Sequence, residues 1–360
     1  MKLSRVMVIV VVVVLVAIVG LYAVGVILAP TTSTSAGSTW HSAAGYPVQV
    51  SGTFAIAGQQ CFNGTSYVYC IGGQDANGGP RDEVYSTPAL TSSSGNITAW
   101  TAGTQYPQDI NGQSCVAYSG YAYCTGGTYD DGGDDVNSSY YAPLTSGGAL
   151  GTWSATTSFP IPVDSLSCVA SSGYVYCVGG NNETDGTNAD STSSNSVWYA
   201  ALSSSGLGDW TSTTSYPANV FFPSCFAAGG YIYCLGGVNG NFNAVGTDYF
   251  ASLSAAGVGA WTQTTAYPVQ ASGEACAVSS GRIYCIGGEE AEGSYTGAAY
   301  YASVSSAGVG TWKQMPSYPL SSQTDCAIVS GNLYCVGGFD GSSVGENNAV
   351  YYASLDSLTG

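Results

Sequence analysis

"CAVSSGRIYCIGG", residues 276–288, places two cysteines nine positions apart around a central Ser-Gly pair and ends in Gly-Gly. Two apolar stretches that flank a two-residue turn of this kind predict a tight β-hairpin. In such a hairpin Cys276 and Cys285 face each other at a non-hydrogen-bonded site, where Cα atoms approach to about 4.5 Å. A disulfide tolerates that separation. The stretch therefore predicts a cross-linked hairpin.

Five more copies of this stretch occur, and their first cysteines follow one another at intervals of 50 to 57 residues. All twelve cysteines belong to these pairs, which makes buried free thiols the weaker alternative. Zinc sites are disfavoured because a closed site needs four ligands and the chain has one histidine. The predicted disulfides are Cys61–Cys70, Cys115–Cys124, Cys168–Cys177, Cys225–Cys234, Cys276–Cys285 and Cys326–Cys335.

The sequence between the hairpins repeats as well. Each Gly-Gly leads through a variable polar loop to a "YYASL"-like segment, then to a small-residue loop, a tryptophan, and Tyr-Pro or Phe-Pro. Apolar residues do not keep a helical period in this part of the chain. Four short strands in every ~50 residues predict the blades of a β-propeller.

The sixth repeat ends at "NNAVYYASLDSLTG", residues 347–360, and lacks the strand that follows the tryptophan in the other repeats. The missing piece is at the other end of the chain, where residues 34–50 around Trp40 match the segment around Trp312. The predicted fold is therefore an all-β, six-bladed propeller closed by its N-terminal strand. Closure of the ring removes exposed edge strands.

The Gly-Gly after the second strand, the aromatic third strand and the tryptophan after a small loop resemble kelch repeats, the motif of the galactose-oxidase-like propellers. The resemblance covers about residues 38–355 and implies the fold, while activity differs widely within one fold. A disulfide in each blade is an addition to the kelch pattern and indicates a divergent secreted form.

Enzyme sites of related propellers find little support in the residues. The single histidine, His41, is on an outermost strand, so neither a copper site nor a Ser-His-Asp triad is expected. Arg5, Arg81 and Arg282 are too few and too scattered for a carboxylate-binding arginine cluster. A glycosidase with paired carboxylates stays open. We therefore expect a protein that is not an enzyme and has no cofactor.

The N-terminus has Lys2 and Arg5 before an uncharged apolar run over residues 6–29. This run exceeds the ~20 residues that span a bilayer, so we predict an uncleaved signal anchor, with a cleaved signal peptide as the alternative. The predicted organisation is a cytoplasmic stub (1–5), a transmembrane anchor (6–29), a polar tether (30–37) and the propeller (38–360). Six disulfides and the positive N-terminus place the propeller outside the cell.

Only 8% of the residues are charged, and the formal net charge is −17, which argues against nucleic acid or anionic lipid as a partner of the propeller. Most acidic residues fall on the variable loops between second and third strands, and a few precede first strands, where they should rim the central channel. Candidate ligand- or cation-binding residues are Asp130, Asp131, Asp134, Asp135, Glu289, Glu290, Glu292, Asp109, Asp164, Glu274 and Asp325.

Variable loops on a constant scaffold favour recognition or adhesion. We predict an extracellular module that binds a surface glycan or protein through its acidic loop face. A structural component of the cell envelope is the alternative. Calcium is the cation such carboxylates would bind, although "DDGGDD" lacks the spacing of a known calcium loop. Candidate glycosylation sites are Asn63, Asn96, Asn137 and Asn182.

Overall fold

The computed structural model describes residues 39–50, 53–54, 57–64, 66–75, 77–89, 99–129, 134–182, 192–241, 243–290, 294–340 and 346–360. The predicted stub, anchor and tether lie outside the described residues, as do Asp130, Asp131, Glu292 and Asn96. In the described ranges, no helix is both long enough and apolar enough to cross a membrane.

Residues 39–360 form one compact unit built from six antiparallel sheets, and each sheet is one blade. The first strands are Gln60–Asn63, Ser114–Tyr118, Ser167–Ser171, Ser224–Ala228, Ala275–Ser279 and Gln323–Val329. The second strands are Tyr67–Ile71, Tyr121–Thr125, Tyr174–Val178, Tyr231–Leu235, Arg282–Ile286 and Asn332–Phe339. The third strands are Val84–Pro88, Ser139–Pro143, Val197–Ser203, Tyr249–Ser254, Ala299–Ser305 and Glu346–Ser354. The fourth strands are Thr101–Ala102, Ser154–Ala155, Thr211–Ser212, Thr262–Gln263, Lys313–Gln314 and His41–Ser42.

We number the blades 1 to 6 in the chain order of their first strands. The predicted six-bladed, all-β propeller is confirmed. Short two-residue strands extend it: Gly206–Leu207, Gly257–Val258 and Gly308–Val309 pair with third strands, and three ribbons are formed by Gln49–Val50 with Thr53–Phe54, Asn181–Asn182 with Thr192–Ser193, and Glu289–Glu290 with Ser294–Tyr295. First strands of neighbouring blades contact one another, so they surround the propeller axis.

The cysteine hairpins have the predicted geometry. In blade 5 the turn residues Ser280 and Gly281 have φ values of 50° and 73°. Positive φ at both central residues defines the type I′ turn, whose twist matches the flanking strands. Cys276 pairs with Cys285 across the hairpin, with Cα atoms 4.2 Å apart. All six predicted disulfides form within their own blades.

The N-terminal strand closes the ring, as the sequence predicts. His41 pairs with Tyr352 in the third strand of blade 6. Just beyond, the amide of Ala43 donates to the Val350 carbonyl at 2.8 Å. The strand His41–Ser42 therefore lies in one sheet with the last three long strands of the chain and completes blade 6.

The hydrophobic core lies between adjacent blades. One cluster, for example, combines Ile71 and Val84 of blade 1 with Ile110 and Cys124 on the blade 2 side, and all four are buried. Because every seam buries such a cluster, each blade is held by its two neighbours. The sequence did not predict the short helix Leu355–Thr359, which follows blade 6 and buries Leu358.

Candidate functional site

The central channel opens into a cavity of about 660 Å³ to which all six blades contribute residues. Residues at or beyond the ends of second strands, such as Gln74, Tyr295 and Phe339, contribute to its wall, but most of the wall consists of the first strands and of the short segments that precede them. These segments connect one blade to the next on the same face as the loops between second and third strands. We call this opening the channel mouth.

Three of the predicted carboxylates line the cavity: Asp164, Glu274 and Asp325, which belong to blades 3, 5 and 6. No Lys, Arg or His is among the residues that line it in the described part of the chain. The cavity is therefore an acidic and polar environment. Side-chain amides and hydroxyls complete the polar wall, among them Gln60, Ser114 and Ser167.

Asp325 is held by hydrogen bonds across the seam between blades 6 and 1. Its Oδ2 accepts from the backbone N–H of Cys61 and from Gln60 Nε2 at 3.0 Å, and its Oδ1 accepts from the Cys326 N–H at 2.8 Å. Burial raises the pKa of Asp325 to about 7, although these donors act in the opposite direction. This carboxylate is thus fixed in place and titrates near neutrality.

Glu274 immediately precedes the first strand of blade 5 and is 3% exposed. Its pKa is raised well above the ordinary value of 4.5, mainly because burial penalises the charged form. Asp164 is half-buried, and its Oδ2 accepts a hydrogen bond from Ser165 Oγ at 2.8 Å. Asp325 is occupied by donors and Glu274 is covered, so neither carboxylate is presented to the cavity as a free catalytic group.

Asp109, the fourth carboxylate predicted to rim the channel, is not among the residues that line the cavity. Asp109 is exposed. It precedes the first cysteine of its blade by six positions, compared with four for Asp164, two for Glu274 and one for Asp325. That extra length places it outside the mouth, where its charge acts on Asp82 and Arg81.

The other predicted acidic residues that the structure describes lie on the loop side of blades 2 and 5. Asp134 and Asp135 are half-buried, and Thr128 Oγ1 donates to Asp135 Oδ1 at 3.2 Å. Glu290 is exposed, whereas Glu289 is half-buried and accepts from Gln323 Nε2 at 3.3 Å. Among the described residues, no three Asp, Glu, His or Cys side chains are grouped closely enough to hold a metal ion.

The described sequons differ in their surroundings. Asn63 is the exposed last residue of the first strand of blade 1, and Asn137 is exposed in a loop. Asn182 is half-buried, and its Nδ2 donates to the Pro162 carbonyl. Asn63 and Asn137 are therefore the accessible candidates for glycosylation.

Three successive backbone hydrogen bonds connect blades 1 to 4 at the mouth. Each link joins the residues three positions before the first cysteine: Gly112 N–H donates to Gly58 O at 3.5 Å, Ser165 N–H to Gly112 O at 2.9 Å, and Phe222 N–H to Ser165 O at 2.8 Å. All four residues have φ between 52° and 67°. This left-handed conformation suits glycine and is unusual for a side chain as large as phenylalanine.

Phe222 is also exposed to 46%, although it borders the cavity. Four further aromatic residues line the same cavity, and two of them, Tyr295 and Phe339, pack edge to face with ring centroids 5.5 Å apart. The mouth therefore combines aromatic surfaces with carboxylates and amides. Sequence reasoning missed these aromatic residues; a comparison of the six repeats at the position three before the cysteine would have singled out Phe222.

Comparisons with known proteins agree with the fold and say nothing about activity. No family model matches the chain, and no curated protein matches it. Among solved structures, the chain resembles one titled "Structure of YjhT", with a TM-score of 0.67 and 12% identity over 87% of this chain and 96% of that chain. At this level of identity the similarity shows a shared propeller fold alone.

Proposed function

We propose that this protein is an extracellular recognition module and that its channel mouth binds a saccharide unit of a surface glycan. The observation that carries the proposal is the cavity at the propeller axis. Its volume of about 660 Å³ suits a small-ligand site, since such sites measure roughly 300–1,000 Å³. A concave cavity of this volume can enclose one compact unit of a ligand, whereas a flat protein surface could not enter it.

The lining favours a neutral or amine-bearing sugar over an anionic one. Amide and hydroxyl groups such as Gln60 and Ser167 can exchange hydrogen bonds with sugar hydroxyls. Asp164 would repel a carboxylated or sulfated sugar and attract an ammonium group, and Asp325 would do the same once it is ionised, which requires a pH above about 7. Aromatic rings offer a face for the C–H groups of a sugar ring.

The conformation of Phe222 supports a role in contacting the ligand. A bulky residue at positive φ costs on the order of 1–3 kcal/mol, and such strain concentrates at ligand-binding sites. The equivalent residues of blades 1, 2 and 5 are Gly58, Gly112 and Gly273, all with positive φ. Only blade 4 has an aromatic residue in this conformation with its ring exposed at the mouth. A glycine at this position would not have the backbone strain.

We place the propeller outside the cell, anchored by residues 6–29, and interpret its repeats as a divergent kelch type. The six disulfides support an oxidising compartment. Protease treatment of intact cells tests this topology, because an external propeller is digested or released while a cytoplasmic one survives. Gel mobility of the reduced and non-reduced protein from the same cells reports whether the disulfides form there.

The binding test uses the full chain on an array of neutral, amine-bearing and anionic glycans. We expect neutral or amine-bearing glycans to bind and anionic glycans not to bind. The informative variant is Phe222→Gly, which should lose binding without losing stability, because glycine relieves the left-handed backbone. Ser280→Gly is the matched control, since Ser280 has φ 50° in a hairpin turn on the opposite face.

Two results would contradict the proposal. If the Phe222→Gly variant bound glycan as well as the parent does, the channel mouth would not be the binding site. Absence of glycan binding together with regular lateral arrays in envelope imaging would favour the structural role in the cell envelope instead.

A further inference from the structure

A buried carboxyl group lies at the seam between blades 4 and 5. Glu274 is 3% exposed, and within the described residues neither of its oxygens has a hydrogen-bond partner on another residue. Its own backbone N–H lowers its pKa, but burial has the larger effect. Burying an ionised carboxylate without a partner is strongly unfavourable. Burial therefore favours the neutral, protonated form of Glu274.

The internal repeats provide the comparison. Glu274 stands two positions before the first cysteine of its blade, where blades 1 and 2 have Gln59 and Gln113. Gln113 Nε2 donates to the Ile71 carbonyl at 2.9 Å, and Gln59 Nε2 donates to the Val336 carbonyl at 2.6 Å. Each acceptor is the residue just before the Gly-Gly of the preceding blade. In these two blades the position thus links one blade to the previous one.

Glu274 occupies the same place at its own seam. A Cβ atom on Gly236, the first glycine after the second strand of blade 4, would lie 2.7 Å from Glu274 Oε2. A Cβ atom on Gly72, the equivalent glycine of blade 1, would lie 2.8 Å from Gln113 Nε2. The carbonyl equivalent to that of Ile71 is then the one of Leu235.

We propose that Glu274 is protonated and that its O–H donates a hydrogen bond to the Leu235 carbonyl. Ionisation of Glu274 would then loosen the seam between blades 4 and 5. A protonated carboxyl group has an O–H donor where glutamine has an N–H donor, whereas a carboxylate can only accept. Ionisation would remove the donor and leave a buried negative charge beside a carbonyl oxygen. A carbonyl has two lone pairs, so this bond is compatible with pairing inside blade 4.

Among the charged groups around Glu274, Asp248 disfavours its ionisation, while the backbone N–H of Glu274 itself favours the charged form. Asp248 lies just before the third strand of blade 4, is 2% exposed, and acts on Glu274 as a like charge. Its carboxylate is held by the N–H groups of Gly236 at 3.0 Å and Tyr267 at 2.7 Å. The phenols of Tyr216 and Tyr267 also face Glu274 from the loops that precede blades 4 and 5. No Lys, Arg or His is among the described groups whose charge acts on Glu274.

The direction of the pH effect follows from this environment. The folded state keeps the proton to a higher pH than the unfolded chain, because burial raises the pKa of Glu274. The contribution of Glu274 to stability is therefore complete below its ordinary value of 4.5 and is lost as pH rises toward its folded value. In this window the unfolding equilibrium constant increases by up to about tenfold per pH unit from this group.

The test compares the full chain with Glu274→Gln and Gln113→Glu by denaturant unfolding between about pH 4 and about pH 8, where the linkage predicts the change. We expect Glu274→Gln to match the parent at the acidic end and to be increasingly more stable than the parent toward the alkaline end. Gln113→Glu, which moves the carboxyl group to the seam between blades 1 and 2, should gain the same pH dependence. The infrared band of a protonated carboxyl group should persist at neutral pH in the parent and weaken in Glu274→Gln.

A parent and a Glu274→Gln variant with parallel pH profiles would overturn the proposal, as would a variant that is less stable at the acidic end. A Gln113→Glu variant without added pH dependence would show that the two seams are not equivalent and would also overturn it. None of these outcomes depends on glycan binding, so this proposal and the proposed function can fail separately.

Discussion

Trp40 packs edge to face against Tyr318, with ring centroids 5.2 Å apart and an interplanar angle of 80°. Its Nε1 also donates to the Pro316 carbonyl at 3.0 Å, across 276 positions of sequence. The indole therefore binds the N-terminal segment to the connection between blades 5 and 6. Trp40 is buried within the same hydrophobic cluster as Leu333 and Ala353 of blade 6.

The same contact occurs at every seam. Each tryptophan that precedes a fourth strand packs edge to face on the aromatic residue of a Tyr-Pro or Phe-Pro pair and donates to a carbonyl near that pair. The aromatic pairs are Trp100–Tyr46, Trp153–Tyr106, Trp210–Phe159, Trp261–Tyr216, Trp312–Tyr267 and Trp40–Tyr318. Aromatic pairs in this geometry add about 0.5–1.5 kcal/mol beyond the area that they bury. The repeated Trp and Tyr-Pro motifs thus hold neighbouring blades together.

Replacement of Trp40 by alanine should open the ring closure. Loss of a buried tryptophan costs about 3–5 kcal/mol in unfolding free energy, and here the unpaired edge of blade 6 would also promote aggregation. Denaturant unfolding and light scattering measure the two effects. His41→Ala is the control, since His41 is exposed next to Trp40 and should cost less than about 1 kcal/mol. A Trp40→Ala variant as stable and as monomeric as the parent would show that the strand is dispensable.

Removal of one disulfide should weaken its blade without unfolding the propeller. A nine-residue separation closes a short loop, so the chain-entropy model gives about 2–3 kcal/mol per bridge. The double variant Cys276→Ala with Cys285→Ala should have a free energy of unfolding that is lower than that of the parent by this amount, as measured by denaturant titration. Non-reducing peptide mapping of the parent should find each bridge within its own hairpin. Bridges between blades in that map would contradict the structure.

The sequence was sufficient for the fold because its decisive contacts are local or repeated. Cys276 and Cys285 report hairpin register within ten residues, and the Trp40 segment matches the one around Trp312. The channel mouth could not be derived in the same way. Whether Phe222 is exposed, or what Glu274 faces, depends on the neighbouring blade and on a left-handed backbone that composition and periodicity do not reveal.

We expect the carboxylates of the acidic loop face to bind calcium. Bound calcium should then stabilise this face. The loop "DDGGDD" of blade 2 contains Asp134 and Asp135, which the structure describes, together with Asp130 and Asp131. Carboxylate oxygens are the ligands that calcium prefers. Calcium should therefore raise the melting temperature of the full chain, and a variant with all four residues changed to asparagine should not respond. An unresponsive parent would mean that these carboxylates serve solubility through net charge.

Stability of the whole propeller should be greatest in mild acid and should fall toward neutral pH. Burial is the largest cause that raises the pKa of four described carboxyl groups, namely Asp82, Asp248, Glu274 and Asp325. For Asp325 the ordinary value of 3.8 rises to about 7. A carboxyl group with a raised pKa keeps its proton in the folded state after the unfolded chain has released it, so unfolding is favoured as pH increases between the two values.

The measurement is the free energy of unfolding from denaturant titrations at several values between about pH 4 and about pH 7, the interval over which the Asp325 proton is retained by the fold. We expect a steady decline across this interval and a smaller slope above it. Most proteins lose stability on acidification, because their paired carboxylates must be protonated. A propeller whose stability instead rises from acid to neutral pH would show that Asp325 and Asp248 are ionised throughout, and that the donors from Cys61, Cys326 and Gly236 outweigh burial.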